Sequence, residues 1–180
     1  MNYAMRAATV MDIPEIMQML RAAWKVAYGN GADAALWDDF LEEYFTDENE
    51  HKKKMDRIDS DGFVTLVAVD AGGDIIGYAE LHKTHHEHDG AYLHSLYLQP
   101  DRTGEGIGGG LLRQVLDHVG AEESLSLMVK EGSRAIGFYE KYGLRISSEP
   151  KFWEFSPQTK LGMNMVQMSK TIYEAEEIAK

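Results

Sequence analysis

The chain contains no cysteine, which excludes disulfide bonds, thiolate zinc sites and cysteine nucleophiles. It has only 4 prolines in 180 residues, and no Pro/Ser/Gly-rich linker divides it. Apolar runs are short: none approaches the roughly 18 residues that span a bilayer, and the first residues lack the apolar stretch of a secretory signal. We therefore expect one domain over residues 1–180, with no membrane association and a cytoplasmic location.

Basic residues are scarce relative to acidic ones. Lys and Arg number 18 against 30 Asp and Glu, which gives a formal net charge of −12. This balance disfavours nucleic acid as a partner. The negative net charge favours a cationic small molecule or a peptide as partner. Its alternative role is solubility alone. With 44% hydrophobic and 27% charged residues, the composition is that of a globular protein able to bury a core.

Hydrophobic periodicity predicts a helix-rich start followed by a hairpin. Apolar residues at helical spacing predict helices from about Asp12 to Tyr28 and from Ala34 to Phe45. A charged helix over Asp47–Ile58 is interpreted as a solvated face. Alternating apolar residues then predict two hairpin strands, Phe63–Val69 and Ile75–Leu81, followed by a loop from His82 to Gly90. The remaining predicted elements are an edge strand at Ala4–Thr9, strands at Ala91–Leu98, Ser124–Lys130, from Leu144 and within Leu161–Lys170, and helices from Ile107 and over Ser133–Tyr142.

A glycine-rich turn joins the strand that ends at Leu98 to the helix that follows. Five glycines occur in seven positions: Gly104, Gly106, Gly108, Gly109 and Gly110. Glycine lets an anion approach the backbone without meeting a Cβ, and the first N–H groups of a helix have no partner within that helix. The pattern therefore predicts a phosphate cradle, supported by the helix dipole. A simple connecting turn is the alternative.

Two motifs lie on either side of the predicted strand Ser124–Lys130. The first runs from Leu98 through Gln99, Pro100 and the glycines to Gly108, and the second runs from Arg134 to Leu144. They resemble motifs of the GNAT superfamily of acyl-CoA N-acyltransferases: the first is similar to that family's coenzyme A loop, and the second to the family's helix that ends in a Tyr-Glu-Lys-x-Gly turn. The resemblance covers nearly the whole chain. It implies an α+β fold, a three-layer sandwich in which a mixed, mostly antiparallel sheet carries helices on both faces.

The resemblance also implies an activity. The enzyme would move an acetyl group from acetyl-CoA, its cosubstrate, to a primary amine by direct attack in a ternary complex. The acceptor would be a polyamine, a small amine or a peptide N-terminus, and a homodimer is compatible with the family. Tyr139 matches the tyrosine that protonates the leaving thiolate. Backbone groups at Leu96 and Leu98 match those that bind the pantetheine arm and the acetyl oxygen.

The cofactor-binding residues implied by the two motifs are Leu96, Tyr97, Leu98, Thr103, Gly104, Glu105, Gly106, Ile107, Gly108, Gly109 and Ser133. The chain departs from the family pattern at three of them. Thr103 stands where the family has Gln or Arg, Glu105 stands where a basic residue is frequent, and Gly132 or Ser133 replaces an asparagine. Glu105 is therefore expected to point to solvent.

The amine must lose a proton, and two residues are candidate acceptors. Glu80 lies near the end of a predicted strand, and His94 lies on the strand that enters the glycine loop. Histidine has an unperturbed pKa near neutrality, although a single strand histidine is often structural. Trp24 and Tyr28 are candidate substrate-binding residues because ring faces attract an alkylammonium group, with core packing as the alternative.

The sequence leaves three further interpretations open. Histidines at 82, 85, 86 and 88, together with Asp89, suit zinc or nickel, but they crowd a predicted loop without the spacing of a metal-binding helix, so no metal is expected. The triplet Gly104, Gly106 and Gly109 fits a dinucleotide-binding fingerprint literally, which would indicate an oxidoreductase. That fingerprint belongs to an early parallel β-α-β unit, whereas a hairpin precedes it here. A noncatalytic GNAT-like module that binds acyl-CoA is the third possibility.

Overall fold

Eight strands and five helices form in the described part of the chain. The computed structural model describes residues 3–29, 33–85, 90–120 and 123–172. The strands are β1 (Tyr3–Ala7), β2 (Phe63–Asp70), β3 (Ile75–His85), β4 (Gly90–Leu98), β5 (Ser124–Lys130), β6 (Arg145–Ile146), β7 (Lys151–Ser156) and β8 (Leu161–Thr171). The helices are α1 (Ile13–Tyr28), α2 (Ala34–Thr46), α3 (Glu48–Ile58), α4 (Ile107–Leu116) and α5 (Arg134–Glu140).

The strands form one mixed sheet. Their order is β1-β2-β3-β4-β5-β8-β6, and β7 pairs with β8. Strands β1 and β2 are antiparallel, as are β5 and β8, whereas β4 and β5 are parallel. The predicted mixed, mostly antiparallel sheet is confirmed, and so is the position of β1 at its edge.

The chain forms two compact units. One comprises residues 1–81 and 95–116, and the other comprises residues 82–94 and 117–180. Strands β3 and β4 each contribute residues to both units. The interpretation of residues 1–180 as one domain stays a prediction.

In the first unit, helices cover both faces of the sheet. A Cβ added at Gly77 of β3 would lie 2.9 Å from Leu98 and 3.0 Å from Leu111, so this face of β3 packs on α4. Neighbouring side chains of a strand point to opposite faces. Glu80 accordingly faces the other side, where it meets two side chains of α3. Helix α4 buries Ile107, Leu111, Leu112 and Val115 completely, at the helical spacing that predicts a core-facing side.

In the second unit, β5 and β8 form a long antiparallel ladder that runs from Ser124 opposite Thr171 to Lys130 opposite Met165. Leu125, Leu127 and Val129 of β5 are buried. Strand β7 pairs with the other end of β8 and is exposed along most of its length.

Several predicted boundaries need correction. The predicted loop from His82 to Gly90 is strand at both ends, because β3 continues to His85 and β4 begins at Gly90. Strand β7 was not among the predicted elements. None of the helices within the described residues is both long and apolar enough to cross a bilayer.

Candidate active site

The glycine turn is exposed and open. A 3-10 turn, Pro100–Arg102, leads into it, and residues 103–106 are all exposed. Gly104 has a φ of 91° and Gly106 a φ of 83°, the left-handed region that glycine adopts without steric cost. Among the described residues, the two adjacent ones apart, no heavy atom lies within 4 Å of the position that a Cβ would occupy at either glycine. A ligand can therefore reach the backbone of this turn.

Helix α4 begins directly after the turn. The Gly110 N–H donates to the Gly106 carbonyl at 3.0 Å, which closes the first helical turn. The N–H groups of Ile107, Gly108 and Gly109 make no hydrogen bond within the described residues. These amides and the positive end of the helix dipole together form a surface suited to a phosphate group. This geometry is compatible with the predicted cradle, which stays a prediction.

An acidic side chain sits beside this surface. Glu105 is exposed, as predicted, and its carboxylate lies 3.8 Å from the Arg102 guanidinium. The same guanidinium lies 2.9 Å from the Asp70 carboxylate. The Thr103 hydroxyl donates to the Pro100 carbonyl at 3.3 Å, so it stabilises the turn itself. Arg102, which is not among the residues predicted from the sequence, supplies a positive charge next to Glu105.

Strand β4 leads into the turn. Its parallel pairing with β5 covers Gly90–Tyr92 and Ser124–Ser126, and Leu96 and Leu98 lie outside this pairing. Leu96, Tyr97 and Leu98 are half-buried. The Tyr97 and Tyr28 hydroxyls are 2.8 Å apart. The predicted cofactor strand and one predicted substrate residue are thus in contact.

Trp24 and Tyr28 belong to an aromatic cluster on α1 and α2. The Trp24 ring stacks on Tyr44 with centroids 5.4 Å apart, and the Tyr28 ring stacks on Trp37 at 5.9 Å. Burial raises the pKa of the Tyr28 phenol above its usual range, although the hydrogen bond to Tyr97 opposes the shift. One face of each predicted substrate ring is therefore occupied by another ring, as expected for core packing.

Glu80 lies at the centre of a buried polar cluster. Its carboxylate is fully buried, with Oε1 accepting from Arg57 at 2.6 Å and Oε2 accepting from Lys54 at 2.7 Å. The Tyr78 hydroxyl donates to Oε2 at 2.5 Å. Burial by itself would raise the pKa of Glu80, but the charges of Lys54 and Arg57 outweigh it and lower the pKa to about 2. A carboxylate held in this way is a weak proton acceptor.

The second unit carries Tyr139 and Ser133. Tyr139 is buried near the end of α5, and its carbonyl accepts from the N–H groups of Tyr142 and Leu144 in the turn that ends the helix. Ser133 precedes α5 as its N-cap residue. Its Oγ atom is buried and has no hydrogen-bond partner among the described residues. A buried hydroxyl of this kind is suited to a ligand, as the cofactor prediction for Ser133 requires.

His94 lies on the part of β4 that belongs to the second unit. It is half-buried and has His82 and His85 of β3 as neighbours. Ligand atoms of the three imidazoles lie within 4.8 Å of one another. The predicted proton acceptor is thus one member of a histidine cluster.

Residues 30–144 match the model of the Acetyltransferase (GNAT) family. The chain belongs to the GNAT acetyltransferase family. This confirms the predicted class of enzyme, an acyltransferase, and excludes the dinucleotide-binding interpretation of the glycine triplet. An L-methionine sulfoximine/L-methionine sulfone acetyltransferase of Pseudomonas aeruginosa is 30% identical over 155 residues, which cover 83% of this chain and 84% of that protein.

Two solved structures show the same GNAT fold. The PaiA N-acetyltransferase of Thermoplasma acidophilum, in complex with coenzyme A, has a TM-score of 0.71 at 20% identity and covers 95% of this chain and 99% of its own. A phosphinothricin acetyltransferase of Sinorhizobium meliloti, in complex with acetyl-CoA, has a TM-score of 0.70 at 19% identity and covers 99% of this chain and 93% of its own. Both ligands agree with acetyl-CoA as the predicted cosubstrate.

Sequence reasoning missed the partners of both predicted proton acceptors. Lys54 and Arg57 lie on α3, which was interpreted as a solvated face, yet both side chains point to Glu80. His82 and His85 were assigned to a loop, yet both belong to β3. One signal was available for the first pair: a glutamate within an otherwise apolar strand needs a cation to compensate its charge.

Proposed function

We propose that this GNAT enzyme transfers an acetyl group from acetyl-CoA to the α-amino group of a small amino-acid-like acceptor. The assignment of acetyl-CoA as the acetyl donor rests on the open glycine turn, which is followed by three amides without partners among the described residues. The diphosphate of coenzyme A would accept hydrogen bonds from the N–H groups of Ile107, Gly108 and Gly109. Gly104 and Gly106 keep the approach to these amides free of side chains.

The acceptor proposal is supported by the relatives. The Pseudomonas aeruginosa protein named for methionine sulfoximine and methionine sulfone matches over most of both chains. A polyamine, the acceptor class suggested by Trp24 and Tyr28, is the second candidate. It has less support, because other aromatic side chains already stack on both rings. A peptide N-terminus, a homodimer and a cytoplasmic location stay predictions.

The chemistry assigns a role to each predicted catalytic group. The neutral amine nitrogen attacks the thioester carbonyl, the carbon–sulfur bond breaks and coenzyme A leaves as a thiolate. Tyr139 would protonate that thiolate as general acid. Of the two predicted proton acceptors, His94 is the better candidate for the proton of the attacking amine. The hydrogen bonds of Glu80 to Lys54, Arg57 and Tyr78 make it a weaker base.

A binding measurement tests the cradle. We expect acetyl-CoA to raise the melting temperature of the wild-type protein, because a ligand that binds only the folded state stabilises it. Gly106→Val should abolish this rise. Gly73→Val is the matched control, since Gly73 also has a positive φ, 97°, and open space around it, but lies in the turn between β2 and β3. Equal ligand shifts in the two variants would contradict the cradle.

An acceptor panel tests the reaction. Release of free coenzyme A thiol is measured with methionine sulfoximine, methionine sulfone, phosphinothricin, spermidine and a peptide with an N-terminal alanine. We expect the highest kcat/KM with the first two compounds. Highest activity with spermidine would favour the polyamine alternative. Stabilisation by acetyl-CoA without thiol release from any acceptor would favour a noncatalytic binding module.

A further inference from the structure

The histidine cluster joins two strands of the second unit. His82 and His85 lie near the end of β3, and His94 lies on β4. The ring centroids are 5.1 Å apart for His82 and His85, 5.8 Å for His85 and His94, and 6.1 Å for His82 and His94. Each residue offers one ligand atom, and these atoms all lie within 4.8 Å of one another. Three imidazoles therefore converge on one small volume.

The surroundings of the cluster hold the rings in place without burying the three residues completely. The Tyr92 ring packs on His94 with centroids 4.7 Å apart and on His85 at 5.2 Å. Tyr92 itself lies in the part of β4 that pairs with β5. All three histidines are half-buried as residues, and Nδ1 of His85 is buried. Ligands carried by paired strands are held more precisely than ligands carried by a loop.

We propose that His82, His85 and His94 form a binding site for a divalent transition metal of the zinc or nickel class. Neutral imidazole nitrogen is a preferred ligand of these ions, and three histidines with one open position are a known zinc arrangement. Zinc–nitrogen bonds of about 2.0–2.1 Å place tetrahedral ligands about 3.4 Å apart. Small side-chain rotations bring nitrogens that lie within 4.8 Å of one another to this spacing. The net charge of −12 also favours a cation.

This site goes beyond acetyl transfer, because the attack of an amine on a thioester requires no metal. A bound ion would occupy a nitrogen of His94, so that this residue could not accept a proton. Metal binding would then inhibit the enzyme. The inhibition, unlike the binding, rests on the proposed role of His94.

Calorimetry with zinc and the visible spectrum with cobalt test the binding. Untagged full-length protein is first treated with a chelator and dialysed. We expect one ion per chain and the intense cobalt bands of a tetrahedral site. His85→Gln and His94→Gln should each weaken zinc binding more than about 100-fold, since even the loss of a second-shell partner costs about 10–100-fold. His118→Gln is the matched control, because His118 is an exposed histidine of the same unit.

A second pair of variants separates this cluster from a linear histidine stretch. His86 and His88 follow His85 in the sequence but lie outside the described residues. We expect the double variant His86→Gln/His88→Gln to retain zinc binding. Binding that is lost in this double variant and survives His94→Gln would overturn the proposal, as would absence of zinc binding to the wild type.

The effect of zinc on enzyme activity is measured in an experiment separate from the binding measurements. Acetylated product is measured by mass spectrometry, because zinc also binds the free thiol of coenzyme A. We expect zinc to inhibit the wild type and to inhibit His85→Gln far less. Zinc binding without inhibition would confirm the metal site and contradict the role of His94 as proton acceptor.

Discussion

Glu80 and His82 are two residues apart on β3, yet the clusters around them differ in charge balance. The Glu80 carboxylate is fully buried and bonded to two cations and a phenol. The histidine cluster is half-buried and combines three side chains of one chemical type. A buried charge must be compensated by other side chains of the same protein. Converging imidazole nitrogens can instead bind a metal ion from solution. We therefore expect the first cluster to serve the fold and the second to be open to a ligand.

The largest expected effect is on turnover, and it tests which cluster takes part in the reaction. In chelator-treated protein, His94→Gln should lower kcat by about 100-fold or more, the usual contribution of a general base. Glu80→Gln should reduce kcat only a few-fold when it is measured at a temperature at which circular dichroism shows the variant folded. The opposite result, a large loss in Glu80→Gln and none in His94→Gln, would assign the proton to Glu80.

The second-largest expected effect is on stability. It tests whether the cations on α3 compensate the buried negative charge of Glu80. Lys54→Met leaves the buried carboxylate short of one cation and should lower the free energy of unfolding by about 3–5 kcal/mol in urea at pH 7. The neighbouring Lys53 is the matched control. Its pair with Glu50 lies at the surface, with the Lys53 side chain 59% exposed, so Lys53→Met should cost about 1 kcal/mol or less. Similar losses in both variants would contradict the comparison.

Acid unfolding tests the same cluster through the protonation of Glu80. The pKa of Glu80 falls from 4.5 to about 2 on folding. A carboxyl whose folded pKa is lowered stabilises the protein above its unfolded pKa, and this stabilisation is lost as the pH falls toward the folded pKa. Glu80 should thus contribute about 3 kcal/mol above pH 5, most of which is lost by pH 2.

The measurement is the unfolding free energy of the wild type and of Glu80→Gln between pH 6 and pH 2. Other acidic groups titrate in both proteins, so the difference between them isolates Glu80. We expect this difference to shrink as the pH falls. A difference that stays constant would mean that the carboxylate titrates in the folded protein as it does in the unfolded chain.

Local patterns in the sequence were sufficient to predict much of this architecture. Strand β5 has the predicted bounds, Ser124–Lys130, because its alternation is regular and its flanks carry turn residues. The glycine turn before α4 lies where it was predicted, because glycine spacing indicates a turn directly, whereas its role as a coenzyme A cradle stays a prediction. Strand β7 was missed because most of its residues are exposed, Phe152 and Trp153 included, so no buried alternation marks it.

Such local patterns do not predict contacts between elements that are far apart in the sequence. Strict alternation places residues three apart on opposite faces of a strand, yet the rings of His82 and His85 are neighbours. The partnership of α3 with Glu80 likewise joins residues 26 and 23 positions apart. Both clusters depend on tertiary placement, which composition and periodicity do not encode.

The smallest expected effect concerns the stability of the histidine cluster in metal-free protein. His85→Gln should change the unfolding free energy by about 1 kcal/mol or less, because glutamine keeps a polar, half-buried side chain and leaves no charge uncompensated. Urea unfolding at pH 7.5 after chelator treatment measures this change. Added zinc should then stabilise the wild type and not the variant, since the ion binds only where its ligands are complete. A loss in metal-free His85→Gln as large as that in Lys54→Met would mean that the histidines also serve the fold, and the contrast between the two clusters would disappear.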